Sequence, residues 1–373
     1  MQYDAEKIEN SVTPLISIII PVYRVERYIL RCLKSVKQQN FDEMEVILVD
    51  DCGDDNSIPI AKKFIAGDPR FRIIRNEKNL SLGPARDRGL KKAIGKYIFF
   101  LDSDDYLAPG ALQKIYGIAE KTQADVIAFQ MLHLHKFTKR IYPEFSCNVI
   151  ATGKEFLPAF LMTRNSSEES IPNIEGYECN KLFRRTLLTE NHIHHLPQRV
   201  LGEDFYFIIQ VLFFAKKVIC IPETLYFYDR RNSSSLTAQT NLDFFATCFL
   251  PIVESKLFLQ KHGEWSPWLE KRFLMHIYRF FYFETLIRLS FFSNRFNRKL
   301  ISVLSDCLTK YQLWQEDPAL WNGFEPFFEV LCSNIKQLEW PFSFYKLKLL
   351  KLKVYYIPLW LVRLKKKFFP AKN

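Results

Sequence analysis

The first 130 residues alternate short, continuously apolar runs with amphipathic stretches, and that alternation restricts the fold more than any other feature of the chain. LISIII (15–20), EVILVD (45–50), FRIIR (71–75), KYIFFLD (96–102) and ADVIAF (124–129) are rich in β-branched and aromatic residues and bounded by turn residues. Runs of this kind suit strands buried on both faces of a parallel sheet. Between them, Glu26–Gln39, Ile58–Ala66, Pro84–Ile94 and Gly110–Lys121 carry helical periodicity. Strand and helix alternating at this spacing predict an α/β, doubly wound domain.

Beyond it the pattern changes. A less regular stretch, about 133–223, includes a polar loop (163–170) and a helix-like run, DFYFIIQVLFFAKK (204–217). After Asn241 the chain reads as helical and aromatic-rich, and LMHIYRFFYFETLIRLSFF (274–292) suits core packing. The expected divisions are an α/β domain over 14–238, a mainly helical domain over 239–344 and a basic tail over 345–373. That tail holds nine basic residues and no acid, which accounts for most of the formal charge of +11.

The bulk numbers exclude several classes. Eight cysteines without a Cys-x-x-Cys pair argue against a disulfide framework or a zinc ribbon and for a reducing compartment. The N-terminal residues lack a signal-peptide pattern, and no apolar run approaches the ~18 residues of a membrane span. Nucleic acid is not an expected partner, because the basic residues concentrate in one apolar-rich tail and the strand ends are acidic.

Chemistry gathers where those apolar runs end. One strand closes on Asp50 and Asp51, and another drives into Asp102, Asp104 and Asp105. In an open α/β sheet ligands bind beyond the carboxyl ends of the strands. Acids concentrated there call for a compensating cation, and a hard divalent ion bridging carboxylates and substrate phosphates is the usual solution. Gly83 and Pro84 open a helix whose first turns carry Arg86 and Arg88, a place that can receive phosphate. Neither a Gly-x-Gly-x-x-Gly nor a P-loop is present.

SIIIPVY, VDDCGDDNS, NLSLGPARDRGL and FFLDSDDYL, in that order, resemble the inverting family 2 glycosyltransferases of GT-A fold, of the bacterial surface-glycan and lipooligosaccharide type. CNKLFRRTLL (179–188), GEDFYF (202–207) and IPETLYFYDRRNSSSLT (221–237) resemble acceptor-side segments of the same family. The resemblance spans about residues 15–238. It implies Pro21 and Tyr23 along the nucleotide pocket, Asp51 at the base and Arg86 near the diphosphate. Asp102-Ser-Asp104 takes the place of the DxD motif, with Asp104 the metal ligand, Asp102 near ribose or metal, and Asp105 an auxiliary. Asp204 matches the catalytic base, with Glu203 beside it. The implied cofactor is Mn²⁺ or Mg²⁺, the donor a UDP-linked sugar, the acceptor a glycan or glycolipid. No Gln-x-x-Arg-Trp motif follows, so addition of a single sugar is expected. Three positions depart from the family's habit: Asp87 stands where Asn is usual, Cys52-Gly53-Asp54 replaces Gly-Ser-x, and Cys179 occupies a frequently aromatic position. A nucleotidyltransferase using the same acids is the competing reading.

Two further expectations concern single features. His192-Ile-His-His195 fits no zinc spacing and reads as a solvated turn. In the tail, Leu347, Leu350, Val354, Ile357, Leu361, Leu364 and Phe368 form one apolar stripe flanked by lysines, broken near Pro358. Residues 345–369 are therefore expected to lie on an anionic membrane surface, placing the protein at the cytoplasmic face of the inner membrane, with a helix docked on the aromatic C-terminal domain as the alternative.

Overall fold

Strands β1 (Ile16–Val22) and β2 (Met44–Asp50) are buried along their whole length, as a strand covered on both faces must be. The structure is a computed structural model that describes residues 13–143, 145–161, 171–172, 174, 176–232, 247, 249–267 and 269. Most of the expected helical domain (239–344), the aromatic run 274–292 and the tail (345–373) lie outside the described residues.

Among the described residues, ten strands form one sheet in the order β3-β2-β1-β4-β9-β6-β10-β5, with β7 (Lys139–Tyr142) added on β6 and β8 (Val149–Ala151) on β10. β3 (Phe71–Arg75), β2, β1 and β4 (Tyr97–Phe100) run parallel. The sequence led to a doubly wound parallel sheet, and this half agrees. The other half is mixed. β9 (Lys181–Arg184) inserts between β4 and β6 (Val126–Leu134), antiparallel to both. Only four residues long, β9 offers too little alternation to be recognised from sequence. β10 (Val218–Asp229) pairs parallel with β6 and receives β5 (Tyr106–Leu107) antiparallel at its far end.

Helices cover both faces. On β1, Ile16, Ile18, Ile20 and Val22 join the core beneath α1 (Ile29–Lys37) and α4 (Ala111–Thr122). Ile19 points the other way, into a second core with Ile47, Val49, Ile98 and Phe100 under α3 (Leu82–Leu90) and α7 (Glu203–Phe214). α2 (Ser57–Ile65) follows β2, while α5 (Gly153–Leu161), α6 (Arg185–Glu190) and α8 (Phe249–Lys261) complete the set.

One contact sets the position of α3. A Cβ on Gly89 would come within 2.4 Å of Ile19 Cγ2, so only glycine lets this helix lie so close to β1. That approach carries Arg86, one turn earlier, down to the sheet.

A crevice opens where β4 leaves β1. Along β1 the odd residues bond toward β4 and the even ones toward β2: Leu101 N donates to Ile19 O, and Asp51 N donates to Val22 O. β4 pairs with β1 no further than Ile19, whereas β2 continues to Asp50 opposite Val22. Pro21 faces the side that β4 has vacated, so its missing N–H forfeits no ladder bond.

Candidate active site

The site is assembled at the carboxyl ends of β1, β2 and β4, where a switch in strand order makes a ligand crevice. Its centre is Arg86, 1% exposed. Arg86 Nη2 donates to Asp102 Oδ1 at 2.6 Å and Nη1 to Asp204 Oδ1 at 2.5 Å. Glu178 Oε2 lies 3.5 Å and Glu203 Oε1 3.9 Å from the same Nη1. The ring of Phe100 lies 5.9 Å from the guanidinium carbon. Burial opposes the charge, but Asp102, Asp204, Glu178 and Glu203 outweigh it and hold the guanidinium more firmly protonated than in water. Arg86 thus joins the acid after β4 to the acid that opens α7.

Asp204 and Glu203 sit at the N-terminal turn of α7, preceded by Gly202 in a left-handed conformation (φ 78°). Burial pushes the Asp204 carboxyl well above its ordinary value; Arg86 pulls it down, while Glu178, Glu203 and Asp102 push it further up. The side chain keeps 21% of its surface open, so a substrate can reach it. Glu203 is also raised, by burial first, with Arg86 opposing.

The Asp102–Asp105 segment divides its labour. Asp105 is fully buried, accepting the Tyr226 hydroxyl at 2.7 Å and the Asp229 amide at 2.7 Å. Burial, then Asp104 and Asp102, raise its carboxyl well above the usual range. Asp105 is therefore a structural acid that ties β10 to the loop. Asp104 accepts one side-chain bond, from Asn232 Nδ2 (2.8 Å) through Oδ2, and no other side chain among the described residues takes Oδ1. Burial and then the neighbouring Asp102 push it up to about 6. Asp102 likewise spends Oδ1 on Arg86. Each of these two carboxylates therefore retains one hard oxygen, and the pair is short of positive charge, which is the donor set a divalent cation fits.

Asp229 accepts from Arg31 Nη1 (2.7 Å) and Arg231 Nη2 (2.6 Å). Burial opposes its ionisation, but these arginines hold the carboxyl down at about 2. Arg31 also donates to the Asp104 carbonyl at 2.6 Å and lies 4.4 Å from the Tyr106 ring centre. Residues 226–232, grouped from the sequence with acceptor-side segments, thus reach the acidic loop itself.

Asp51 is 2% exposed and accepts Asn76 Nδ2 (2.8 Å), Leu80 N (2.8 Å) and Ser81 N (3.0 Å). Burial raises its carboxyl in spite of those donors. Of about four lone-pair sites on a carboxylate, three are thereby occupied. The bonds fix residues 80–81, where Ser81 adopts φ 77°, a conformation costing ~1–3 kcal/mol for a non-glycine residue. Tyr23 is 40% exposed beside this loop's neighbour, Gly53, whose added Cβ would lie 2.9 Å from Arg24 N.

The sequence expectation fails at His195. His192 and His194 are exposed, as a solvated turn requires, but His195 is 1% exposed. Its Nδ1–H donates to Asp87 Oδ1 (2.6 Å) and its Nε2–H to Glu178 Oε1 (2.7 Å). Its ring stacks on Phe207 with centroids 4.5 Å apart. Burial disfavours its charge, yet Glu178 and Asp87 win and push it up to about 10. An apolar-polar alternation, Ile193 in and His194 out, was the only available signal, and it is too short to read. Glu178, 0% exposed, was missed altogether. Arg88, by contrast, is exposed and takes no part.

Glu178, His195 and Asp204 offer three ligand atoms within 4.8 Å of one another. This cluster does not fit a metal ion. Both His195 nitrogens are spent as donors, and the Arg86 guanidinium already stands against Asp204 and Glu178.

Residues 17–191 match glycosyl transferase family 2. The chain is 32% identical over 226 residues to the uncharacterised glycosyltransferase EpsJ of Bacillus subtilis, covering 60% of this chain and 63% of EpsJ, somewhat under two thirds of that relative. It is 28% identical over 304 residues to a cholesterol galactosyltransferase of Borreliella burgdorferi, covering 78% of this chain and 82% of that protein. In fold it resembles TarS 1–349 of Staphylococcus aureus, solved with UDP-GlcNAc, at a TM-score of 0.62 and 20% identity over 79% of this chain and 80% of the other. That likeness establishes the GT-A fold.

Proposed function

We propose that this chain, whose residues 17–191 match glycosyl transferase family 2, is a glycosyltransferase of that family and moves a single sugar, with inversion, from a UDP-linked donor to a glycan or glycolipid acceptor. The observation that carries this reading is the Arg86 bridge between Asp102 and Asp204. It brings an acid at the end of β4 and a partly open carboxylate at the start of α7 onto one guanidinium, which supports donor and acceptor meeting in one site. The UDP-GlcNAc bound in the similar TarS structure supports a UDP donor, and the relative named for cholesterol supports a lipid-borne acceptor.

Asp204 is the general base. An acceptor hydroxyl is a weak nucleophile until a carboxylate within hydrogen-bond reach takes its proton. A carboxyl raised by burial holds that proton better than an ordinary aspartate, so the raised value of Asp204 serves the role. Glu203 keeps Asp204 basic by like-charge repulsion. Asp104 and Asp102 would hold Mn²⁺ or Mg²⁺, which would supply positive charge against the departing diphosphate. Pro21 and Tyr23 flank the nucleotide, and Asp51 shapes the base pocket through residues 79–81, with one lone pair left for the base. Arg86, with Nη1 bonded to Asp204 and Nη2 to Asp102, positions these two acids rather than meeting phosphate in this state.

No helix among the described residues is long and apolar enough to cross a membrane. Contact with an anionic membrane surface is assigned to residues 345–369, which fits a cytoplasmic-face enzyme of bacterial surface-polysaccharide or lipooligosaccharide synthesis. A screen of UDP-glucose, UDP-galactose and UDP-GlcNAc, following UDP release with and without Mn²⁺ and with lipid or glycan acceptors, tests the reading. Release of UDP that depends on Mn²⁺ is expected. Pyrophosphate as the product would instead favour a nucleotidyltransferase.

A further inference from the structure

Arg86 faces more carboxylates than it bonds. Glu178 is wholly buried, its Oε2 has no hydrogen-bond partner, and that oxygen stands 3.5 Å from Arg86 Nη1, the nitrogen that bonds Asp204. A buried carboxylate with an idle oxygen beside a guanidinium is a competitor for it. What restrains Glu178 is its other oxygen, held by His195 at 2.7 Å.

We propose that His195 is a positioning residue for sugar transfer: by bridging Asp87 and Glu178 it keeps Glu178 off Arg86 and reserves the guanidinium for Asp102 and Asp204. The assignment rests on the transferase reading of the same site.

The seat of His195 is built for this. Asp87 takes both the ring Nδ1–H and the backbone N–H of His195, at 2.6 and 3.0 Å. Asp87 is the next residue after Arg86 on α3, so the imidazole is registered on the helix that carries the guanidinium. Phe207 stacks beneath the ring, and Phe100 meets it edge-on with centroids 6.2 Å apart. Gly83 completes the seat, since a Cβ there would stand 2.8 Å from His195 Cβ. Both ring nitrogens point at carboxylates, an arrangement met by an imidazolium, which donates twice. Its positive charge offsets Glu178 and Asp87, two acids that would otherwise add to the negative charge around Arg86. The departure noted at Asp87, where the family commonly has Asn, gains a physical reason: the extra negative charge is matched by His195. This is a pair, and neither member is explained alone.

A double-mutant cycle on the full chain tests it, using His195→Phe, Glu178→Gln and the two together. The readouts are UDP release from the donor selected by the screen, UDP affinity by calorimetry with Mn²⁺, and thermal unfolding. His195→Phe frees Glu178 to take Arg86, and displacing the base by about 1 Å is expected to lower kcat ~10²-fold. UDP affinity should fall much less than kcat, because Glu178 approaches Nη1, the nitrogen bonded to Asp204, and leaves the Nη2 bond to Asp102 in place. Adding Glu178→Gln removes the competitor and should restore most of the lost rate and thermal stability. A merely packing role for His195 predicts no rescue, and that result would overturn the proposal. So would a UDP affinity that falls in step with kcat. If His195→Phe is insoluble, recovery of a folded chain in the double variant supports the proposal, and failure to recover overturns it. Nitrogen-15 NMR of the histidines supplies an arm independent of activity: an imidazolium at pH 7.5 for His195 is expected, and a neutral ring refutes the scheme. Were the wild-type chain to release UDP from no donor, the transferase reading would fail, while the NMR and stability cycle would still decide the role of His195 in holding Arg86.

Discussion

Replacing Arg86 with Met removes the charge that bridges Asp102 and Asp204 while keeping a long apolar stem. Arg86 makes hydrogen bonds of 2.5 and 2.6 Å to Asp204 and Asp102 and lies within 4 Å of Glu178 and Glu203. Leaving buried charges unpartnered costs about 3–5 kcal/mol. The loss should also depend on pH in a definite direction. Without the guanidinium, the carboxyls of Asp204 and Glu203, already raised by burial, rise further, because the interaction that pulled them down is gone. A folded-state value above the unfolded one means the native state binds more protons, so stability falls as pH rises through that value. Every tenfold gain in a carboxylate's proton affinity on folding is worth ~1.4 kcal/mol. The Arg86→Met protein should therefore be least stable above neutrality and regain stability as pH falls toward 5. Urea unfolding followed by circular dichroism at pH 5, 6, 7 and 8 measures this directly. A variant within about 1 kcal/mol of wild type at pH 7.5, with no gain toward pH 5, would refute the view that Arg86 neutralises a buried acidic cluster.

Asp204→Asn should keep UDP binding yet lower transfer by about 10²–10⁴-fold, the usual effect of losing a general base, read as initial rates of UDP release. Glu203→Gln removes a carboxylate that raises Asp204, so the acid limb of the kcat/KM profile should move to lower pH, activity being lost as pH falls through the Asp204 value. Asp104→Ala should abolish the Mn²⁺ dependence of UDP affinity in calorimetry, and EDTA should inhibit the wild-type enzyme reversibly. Gly89→Ala forces a methyl into the space of Ile19 and should cost about 1–3 kcal/mol. Because Arg86 rides on the same helix, its kcat should fall more than the stability loss alone explains.

The parallel half of the sheet was legible because burial on both faces leaves its mark on every residue of a strand: Ile16–Val22 and Met44–Asp50 carry no exposed position, and the sequence shows unbroken apolar runs there. β9 left no such mark. Its four residues, Lys181–Arg184, include a buried lysine whose ammonium is satisfied by the carbonyls of Ile174 (3.0 Å) and Tyr177 (2.5 Å) and by Asn180 Oδ1 (2.9 Å). A charged residue with its hydrogen bonds met inside reads as surface in any pattern of polarity. The same blindness explains the site. Asp102 and Asp104 stood out in the sequence because acids at a strand end contrast with apolar neighbours, and Asp204 was singled out through the family resemblance. Their partners were not, because a bond such as Arg86–Asp204 joins residues 118 positions apart and leaves no local period. His195 is the sharpest case: beside two exposed histidines it looked solvated, and only the fold brings it between Asp87 and Glu178. Sequence therefore reveals which groups carry charge, whereas the tertiary pairing decides which charges are spent on one another and which remain for chemistry. In this site the pairing leaves Asp102, Asp104 and Asp204 each with one carboxylate oxygen that no other side chain among the described residues takes.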